Sequence, residues 1–319
     1  MNESTIKVVV RRRQEQGHGV VVLEMASADG QPLPAFDAGA HVDVHLPQGV
    51  VRQYSLCGNP ADRGAYRLGV LKDPKSRGGS QAVHALLKEG TELRIGVPRN
   101  QFPLEMSAPH TVLLGGGIGI TPMIAMAYAL DDAGRSFELH YSGRQRAACA
   151  FLDELAASPF ADRVHLHFDD EADEQKLDLD SVLGAAVPGT HMYTCGPTGF
   201  MDWVIGQARR IGLPEPQIHK EYFQIEVASG GRAFDVVAQK TGKTVRVESD
   251  QTIIEALATI GIKVQVSCEQ GICGTCLCTV LEGEPEHRDV FLTDEEKADN
   301  DQILLCCSRA KSDRLVLDI

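Results

Sequence analysis

The sequence has little positive charge and no long apolar run. Its 319 residues include 31 Lys and Arg against 44 Asp and Glu, which gives a formal net charge of −13. Because phosphate backbones are bound by clustered basic side chains, this composition argues against a nucleic-acid-binding protein. No apolar run approaches the roughly 18 residues that would span a membrane, and residues 1–7 lack the pattern of a secretory signal. We therefore expect a cytoplasmic protein, monomeric, with no membrane or nucleic-acid partner.

Cysteine and glycine, by contrast, are plentiful. Nine cysteines are unusual for a reducing compartment, where they indicate metal or redox chemistry before disulfides. The 31 glycines indicate tight turns and close approach of the backbone to ligands. Because single cores stop growing near about 250–300 residues, a chain of this length predicts two or three domains.

Hydrophobic patterns divide the chain into three parts. The first third has short strands separated by turn residues and one helix near residues 80–88, which predicts a small antiparallel barrel. From Thr111 onward strands alternate with helices, which predicts a parallel sheet. In that part, Thr121 is the expected N-cap of a helix that begins at Pro122. The predicted strands of these two parts are Ile6–Arg12, Gly19–Ala26, Ala40–Leu46, Val51–Leu56, Tyr66–Leu71, Glu92–Val97, Val112–Leu114, Phe137–Tyr141, Val164–Phe168 and His191–Cys195.

The last part begins after a run of small and polar residues that is typical of a linker. It contains a predicted hairpin of Ala233–Gln239 and Thr244–Glu248, a helix over Thr252–Ile260, and six of the nine cysteines. We therefore predict domains at residues 1–104, 105–226 and 233–319, with the linker at 227–232.

Four of these cysteines have the spacing of an iron–sulfur site. Cys268, Cys273 and Cys276 form a C-x4-C-x2-C pattern, and Cys306 follows after 29 further residues. In plant-type [2Fe–2S] centres with this spacing, four thiolates hold two irons. These four residues are therefore the predicted metal ligands.

Other readings of the cysteines are weaker. Structural zinc usually takes two C-x2-C pairs or a Cys and His mixture, and only one such pair is present. A disulfide conflicts with the expected compartment. Cys278 and Cys307 are predicted to be buried free thiols, with Cys307 as a competitor for the fourth ligand position. Gly271 and Gly274 support the cluster, because residues without Cβ let backbone N–H groups approach sulfur.

Two turns at strand ends indicate a nucleotide site. The run Gly115–Gly119 follows a buried strand and opens a helix, so that its backbone can approach a pyrophosphate at the helix N-terminus. Cys195-Gly196-Pro197 ends a later strand and opens another helix. Ligands of open parallel sheets bind at the carboxyl ends of strands, so the two turns are predicted to form two walls of one site.

A third motif, Arg52-Gln53-Tyr54-Ser55-Leu56, lies in a predicted barrel strand. Arg52 can bind a phosphate through two hydrogen bonds. Gly79 and Ser80 begin a predicted helix and can offer N–H and hydroxyl groups to a phosphate. By themselves, Arg52–Leu56 are also consistent with an ordinary strand that has a surface arginine and a packed tyrosine. Gly79 and Ser80 are also consistent with a solvated turn and N-cap.

Together the motifs resemble the phthalate dioxygenase reductase family, over essentially the whole chain and in the same domain order. The resemblance implies an antiparallel β-barrel that binds flavin, an α/β parallel-sheet nucleotide domain and an α+β β-grasp ferredoxin domain. It implies FMN rather than FAD, a [2Fe–2S] cluster, and NADH. Arg144, after the second strand of the nucleotide domain, leaves NADPH open because an arginine could hold a 2′-phosphate.

The resemblance also implies roles for individual residues. Ser55, Cys195 and Phe223 are the expected catalytic residues, beside the reacting rings of flavin and nicotinamide. Cys195 is expected to shape the site and not to act as a nucleophile. The expected cofactor-binding residues are Arg52, Tyr54, Ser55, Leu56, Gly79, Ser80, Gly116, Gly117, Gly119, Thr121, Pro122, Ser142, Arg144, Cys195, Gly196, Pro197 and Phe223.

These cofactors in one chain predict a short electron relay, from NADH to FMN, to the cluster, and out to a Rieske-type terminal oxygenase component. The alternative is a self-contained iron–sulfur flavoprotein that reduces a quinone or another small acceptor. Two acidic clusters, at 282–286 and 294–296, are candidates for steering toward a basic oxygenase surface, with simple solubility as the alternative.

Overall fold

The computed structural model describes residues 5–74, 78–172, 175–224, 228 and 230–319. Two compact units make up the chain, Met1–Phe223 and Gln224–Ile319. Part of the predicted linker at 227–232 lies outside the described residues, as do the first four residues and Arg77 beside the predicted phosphate turn. Among the described helices, none has the length and apolar content that a membrane span requires.

The first seven strands form one antiparallel sheet in the order β4-β3-β6-β1-β2-β5, with β7 beside β3. Its two edges meet where Leu56 pairs with Leu68 and where the Cys57 N–H donates to the Arg67 carbonyl at 2.9 Å. The sheet thus closes into the predicted barrel. The bounds are β1 Thr5–Gln16, β2 Val20–Ser27, β3 Ala40–His45, β4 Val51–Ser55, β5 Tyr66–Leu71, β6 Glu92–Gly96, β7 Arg99–Asn100 and helix α1 Gly79–Leu86.

The rest of the first unit is a parallel sheet of five strands in the order β10-β9-β8-β11-β12. This confirms the predicted parallel sheet and adds the strand β12. The bounds are β8 Thr111–Gly116, β9 Phe137–Gly143, β10 Val164–Phe168, β11 His191–Cys195 and β12 Ile218–Glu221, with helices α2 Ile120–Asp132, α3 Leu152–Ala157, α4 Leu179–Gly184 and α5 Thr198–Ile211.

The start of α2 differs from the prediction. A 3-10 turn over Gly117–Gly119 leads directly into the helix, whose N-cap is Gly119. Thr121 therefore lies inside the first turn, and its hydroxyl donates to the Ile118 carbonyl at 2.9 Å. The prediction of Thr121 as N-cap and Pro122 as first helical residue was wrong. Pro122 is tolerated as the third residue of the helix because no N–H in the first turn has a partner within the helix.

The second unit has a mixed sheet in the order β14-β13-β19-β15-β17, in which only β13 and β19 run parallel. Helix α6 begins in a capping box, with Thr252 accepting from the Glu255 N–H. This is the predicted β-grasp arrangement. The bounds are β13 Phe234–Ala238, β14 Lys243–Val247, α6 Ile253–Thr259, β15 Leu277–Glu282, β16 Pro285–Glu286, α7 Asp294–Asp299, β17 Gln302–Leu304, β18 Arg309–Ala310 and β19 Arg314–Leu317.

Candidate functional site

Four thiols converge in the loop region of the second unit. The Cys268 thiol contacts those of Cys273 and Cys306, and the Cys276 thiol also contacts Cys306. Cys273, Cys276 and Cys306 are buried and Cys268 is partly buried. The structure therefore brings together all four predicted ligands, although 29 residues separate the last two in sequence.

Backbone N–H groups surround these sulfur atoms. Those of Gln270 and Ile272 lie 3.4 Å from Cys268 Sγ, and that of Gly271 lies 3.2 Å from Cys306 Sγ. Hydrogen bonds from the neighbouring thiols, and then from the amides, lower the pKa of the Cys268 thiol. Metals are bound by thiolates, which such donors stabilise. Four converging thiols with N–H donors around them fit a [2Fe–2S] cluster.

The loop can take this shape only because two of its residues are glycines. Gly271 and Gly274 have φ of +72° and +71°, a region that residues with a Cβ rarely adopt. A Cβ on Gly271 would lie 2.5 Å from Cys307 Sγ, and one on Gly274 would overlap the Phe291 ring. Cys307 thus lies beside the loop, but the Gly271 amide donates to Cys306, which favours Cys306 as the fourth ligand.

In the first unit, the predicted phosphate-binding residues come together at the start of α1. Arg52 of β4 lies across Gly79, since a Cβ on Gly79 would be 2.5 Å from Arg52 Cγ. Ser80 Oγ accepts from the Asp73 N–H at 3.2 Å, so its hydroxyl hydrogen remains for a ligand. A guanidinium beside a helix N-terminus fits a phosphate group. The residues present therefore suit the phosphate end of a flavin.

The remaining flavin-motif residues lie in three different environments. Tyr54 is half-buried, and burial raises its pKa to about 12. Ser55 is buried with its hydroxyl directed to Glu221. Leu56 is fully buried in the barrel core, and its N–H donates to the Ala40 carbonyl. Its side chain therefore serves the core and is not available to a ligand.

The two predicted walls of the nucleotide site are in contact. A Cβ on Gly119 would overlap the Cys195 carbonyl oxygen, so the glycine turn and the Cys195 turn pack backbone to backbone. Cβ atoms on Gly116 and Gly196 would lie 2.7 and 2.8 Å from the ring of Phe200. Phe200, which sequence reasoning missed, is thus packed against both turns. The glycines leave a cradle that the backbone of these turns lines, which fits a dinucleotide.

Other residues expected at this site shape it without presenting polar groups. Thr121 is buried, and its methyl group faces Gly69 of β5. Pro122 is also buried, in the first turn of α2. Gly117 has φ of +54°. Pro197 is the N-cap of α5.

At the carboxyl end of β9, Ser142 Oγ is buried without a hydrogen-bond partner among the described residues. Such a hydroxyl is suited to a ligand that completes its hydrogen bonding. Arg144 is exposed. The Arg146 guanidinium makes two hydrogen bonds to the Glu171 carboxylate, at 2.7 and 3.1 Å, and is thus paired within the chain. Of these two arginines, Arg144 therefore stays the candidate partner of a 2′-phosphate.

A carboxyl group that sequence reasoning missed lies between the flavin and nucleotide motifs. Ser55 Oγ donates to Glu221 Oε2 at 3.4 Å, and Glu221 pairs in register with Cys195. Burial raises the pKa of Glu221 to about 8 and that of the Cys195 thiol well above its usual range. Cys195 is thus a neutral thiol, as its expected shaping role requires. Phe223 lies two residues after Glu221 and is partly buried against the core of this unit.

Replacing Glu221 by glutamine should remove part of the pH dependence of stability. The folded protein holds this proton up to about pH 8, whereas an unfolded glutamate loses it near about pH 4. The stabilisation that protonated Glu221 gives to the folded state is therefore complete below about pH 4 and is lost as the pH rises through about 8. The variant should show a smaller fall in Tm between about pH 5 and about pH 9, by thermal unfolding. Asp153→Asn, at an exposed site, should keep the wild-type profile, and identical profiles for Glu221→Gln and wild type would contradict the assignment.

Comparison with known proteins gives three kinds of match. Residues 236–311 match the 2Fe-2S iron-sulfur cluster binding domain. The chain is 48% identical over 316 residues to a vanillate O-demethylase oxidoreductase of Pseudomonas sp. strain HR199, covering 98% of this chain and all of the relative. It is 42% identical to tetrachlorobenzoquinone reductase of Sphingobium chlorophenolicum, covering 99% of this chain and 98% of the relative. The solved structure of phthalate dioxygenase reductase superposes with a TM-score of 0.77 at 35% identity, over 99% of this chain and 98% of that one.

Proposed function

This chain belongs to the phthalate dioxygenase reductase family, and we propose that it supplies a Rieske-type oxygenase that demethylates an aromatic acid of the vanillate type. It is an oxidoreductase of an oxygenase system, in which electrons pass from NADH through FMN to a [2Fe–2S] cluster and on to the oxygenase component. The convergence of four thiols in the second unit carries the proposal, because a cluster is needed only if electrons leave the flavin singly.

The proposed division of labour follows the chain. Residues 1–104 hold the flavin, 105–226 the nicotinamide nucleotide and 233–319 the cluster, with 227–232 as the linker. The protein works as a monomer in the cytoplasm, a compartment that keeps cysteines reduced, and none of its nine cysteines, all of them within the described residues, forms a disulfide. The separate cores of the two units support the boundary at the linker, and one core runs through both residues 1–104 and residues 105–226.

We assign the chain's own groups as follows. Arg52 and the backbone at Gly79 bind the flavin phosphate, and Tyr54 packs along the ring. The turns at Gly116–Gly119 and Cys195–Pro197 bind and orient the nucleotide, with Ser142 and Arg144 at its adenosine end. When bound, the flavin takes a hydride from the nucleotide and releases electrons one at a time. The Ser55 hydroxyl donates to Glu221 beside these turns, and Glu221 keeps a proton of its own up to about pH 8.

A second candidate, the reduction of a quinone without an oxygenase, is favoured by the similarity to tetrachlorobenzoquinone reductase. The two functions differ in what receives the electrons. We expect NADH oxidation to be coupled to demethylation when a vanillate-type Rieske oxygenase is added. Rapid turnover with a chlorinated benzoquinone and none with the oxygenase would favour the second candidate.

The surface of α7 is the proposed contact with the oxygenase. Residues 232–319 contain 10 Lys and Arg against 16 Asp and Glu. Of the two acidic clusters, the one at 282–286 is neutralised within the chain, because each of its three glutamates pairs with a lysine or arginine. Asp294 and Glu295 are exposed at the start of α7, shortly after Phe291, whose ring covers the cluster loop.

Electron delivery to the oxygenase should therefore be sensitive to salt. Turnover at limiting oxygenase should fall several-fold between about 20 and about 200 mM salt, because screening weakens steering, while ferricyanide reduction changes little. The double variant Asp294→Asn/Glu295→Gln should lose most of this dependence. The matched control Glu282→Gln/Glu284→Gln should keep it. Equal salt dependence in both variants would refute α7 as the contact.

A further inference from the structure

A histidine cluster lies at the edge of the parallel sheet, apart from the thiols and the flavin motif. His140 of β9 and His165 of the edge strand β10 are in register, with ring centroids 4.8 Å apart. Glu138 lies on the same face of β9 as His140, because side chains alternate along a strand. One ligand atom from each of these three residues lies within 4.8 Å of the other two.

Hydrogen bonds determine which nitrogen of neutral His140 carries the proton. His167 Nδ1 lies 2.8 Å from the Gln175 carbonyl oxygen, which can only accept, so Nδ1 donates. His167 Nε2 is then the acceptor in its 2.9 Å contact with His140 Nδ1, which therefore donates. His140 Nε2 is left with a lone pair and no proton.

That nitrogen lies close to a carboxylate oxygen. His140 is 4% exposed, and its Nε2 has no hydrogen-bond partner among the described residues. Nε2 lies 3.3 Å from Glu138 Oε2. Two electron-rich atoms at this distance repel each other unless a cation binds both of them. The cation is either a proton on His140 or a metal ion.

We propose that Glu138, His140 and His165 bind a Zn²⁺ ion. Two imidazoles and one carboxylate are an established zinc ligand set, with the fourth position left to water. His165 is exposed, so the ion can enter from solvent. His167 orients His140, and His110 Nε2 lies 3.7 Å from Glu138 Oε1, the other carboxylate oxygen. Outer partners of this kind hold the ligands of metal sites in place.

The site borders the proposed nucleotide edge. His167 is in register with Ser142 at the end of β9. A bound ion would cross-link β9 to the edge strand β10, and would thus raise the thermal stability of the first unit.

Zinc titration of the full-length protein, loaded with flavin and cluster, tests the proposal. Calorimetry with ZnCl₂ should show one site per chain, and MgCl₂ should show none, since Mg²⁺ prefers oxygen ligands. X-ray absorption at the zinc edge should show nitrogen or oxygen ligands at about 2.0–2.1 Å with imidazole scattering. No zinc binding would mean that a proton bridges the pair, and a sulfur shell near about 2.3 Å would place the ion at the cysteines. Either result overturns the proposal.

Variants locate the ion. Glu138→Gln and His165→Asn should each weaken zinc binding by about tenfold or more, and His167→Ala should weaken it by about 10–100-fold through loss of orientation. His18→Asn, an exposed histidine far along the chain from the cluster, should bind like wild type. Unchanged affinity in both Glu138→Gln and His165→Asn would refute the site. Because neither residue belongs to the proposed redox machinery, NADH–ferricyanide activity should stay near wild type in both.

Discussion

Replacing Cys306 by serine should abolish electron delivery to the oxygenase while NADH oxidation continues. A serine hydroxyl stays protonated near neutral pH and binds iron far less well than a thiolate, so the cluster should be lost. The flavin and nucleotide motifs lie in the first unit, which has its own core, and should remain folded. NADH–ferricyanide activity should stay within about twofold of wild type, and cytochrome c reduction should fall by about 100-fold or more. Iron content and the visible spectrum report the cluster itself.

Cys307→Ser is the matched control. The neighbouring thiol is equally buried. It contacts the Leu304 carbonyl and the Ser308 hydroxyl, at 3.9 and 3.7 Å, and of the four candidate ligands it contacts Cys306. This variant should keep both iron and electron delivery. Loss of the cluster in Cys307→Ser with retention in Cys306→Ser would shift the ligand by one residue. Retention in both would place the fourth ligand elsewhere.

Replacing Gly119 by alanine should separate the two walls of the nucleotide site. The new Cβ would overlap the Cys195 carbonyl oxygen and lie 2.6 Å from the Gly196 nitrogen, and both of these are backbone atoms that cannot rotate away. The turns must move apart, and displacement by even about 1 Å can cost about 100-fold in rate. The rate of reduction of the bound flavin by NADH, measured by stopped flow, should fall by about 100-fold. Flavin content should stay at the wild-type level.

Gly199→Ala is the matched control for Gly119→Ala. Gly199 lies in the first turn of α5, four residues after Cys195, and a Cβ there meets nothing within 4 Å. Flavin reduction by NADH should be unchanged in this variant. If Gly119→Ala also reduced at the wild-type rate, the contact between the two turns would be irrelevant to nucleotide binding.

Residues close together in the sequence were predicted well. The strands Tyr66–Leu71 and Val164–Phe168 were predicted with both bounds correct, because apolar residues between turn residues define a strand locally. The helix predicted over Thr252–Ile260 is also present, over Ile253–Thr259 with Thr252 as its N-cap. The prediction of Thr121 as N-cap was wrong because a 3-10 turn of three residues leads into α2 from Gly119, and a glycine-rich run is compatible with several turn conformations.

The candidate site was predicted only in part. Its glycine turns, its flavin motif and its cysteine spacing are local patterns, and the resemblance to known reductases added their roles. Glu221 and Phe200 were missed since a single acidic or aromatic residue at the start or end of an element has no distinguishing pattern. Glu221 acquires significance only beside Ser55, which lies 166 residues earlier in the chain.

The amino-acid sequence by itself determined the three-part architecture and the four candidate cluster cysteines, because periodicity and residue spacing are properties of the chain alone. The resemblance of its motifs to a known family implied the flavin and the nicotinamide nucleotide. Tertiary structure decided which groups face one another. It paired the glutamates of 282–286 with basic side chains and left Asp294 and Glu295 exposed. It also placed His140 Nε2 3.3 Å from Glu138 Oε2 and raised the pKa of Glu221 by burial. Charge pairing, desolvation and ligand geometry depend on distances in space, and these exist only once the chain has folded.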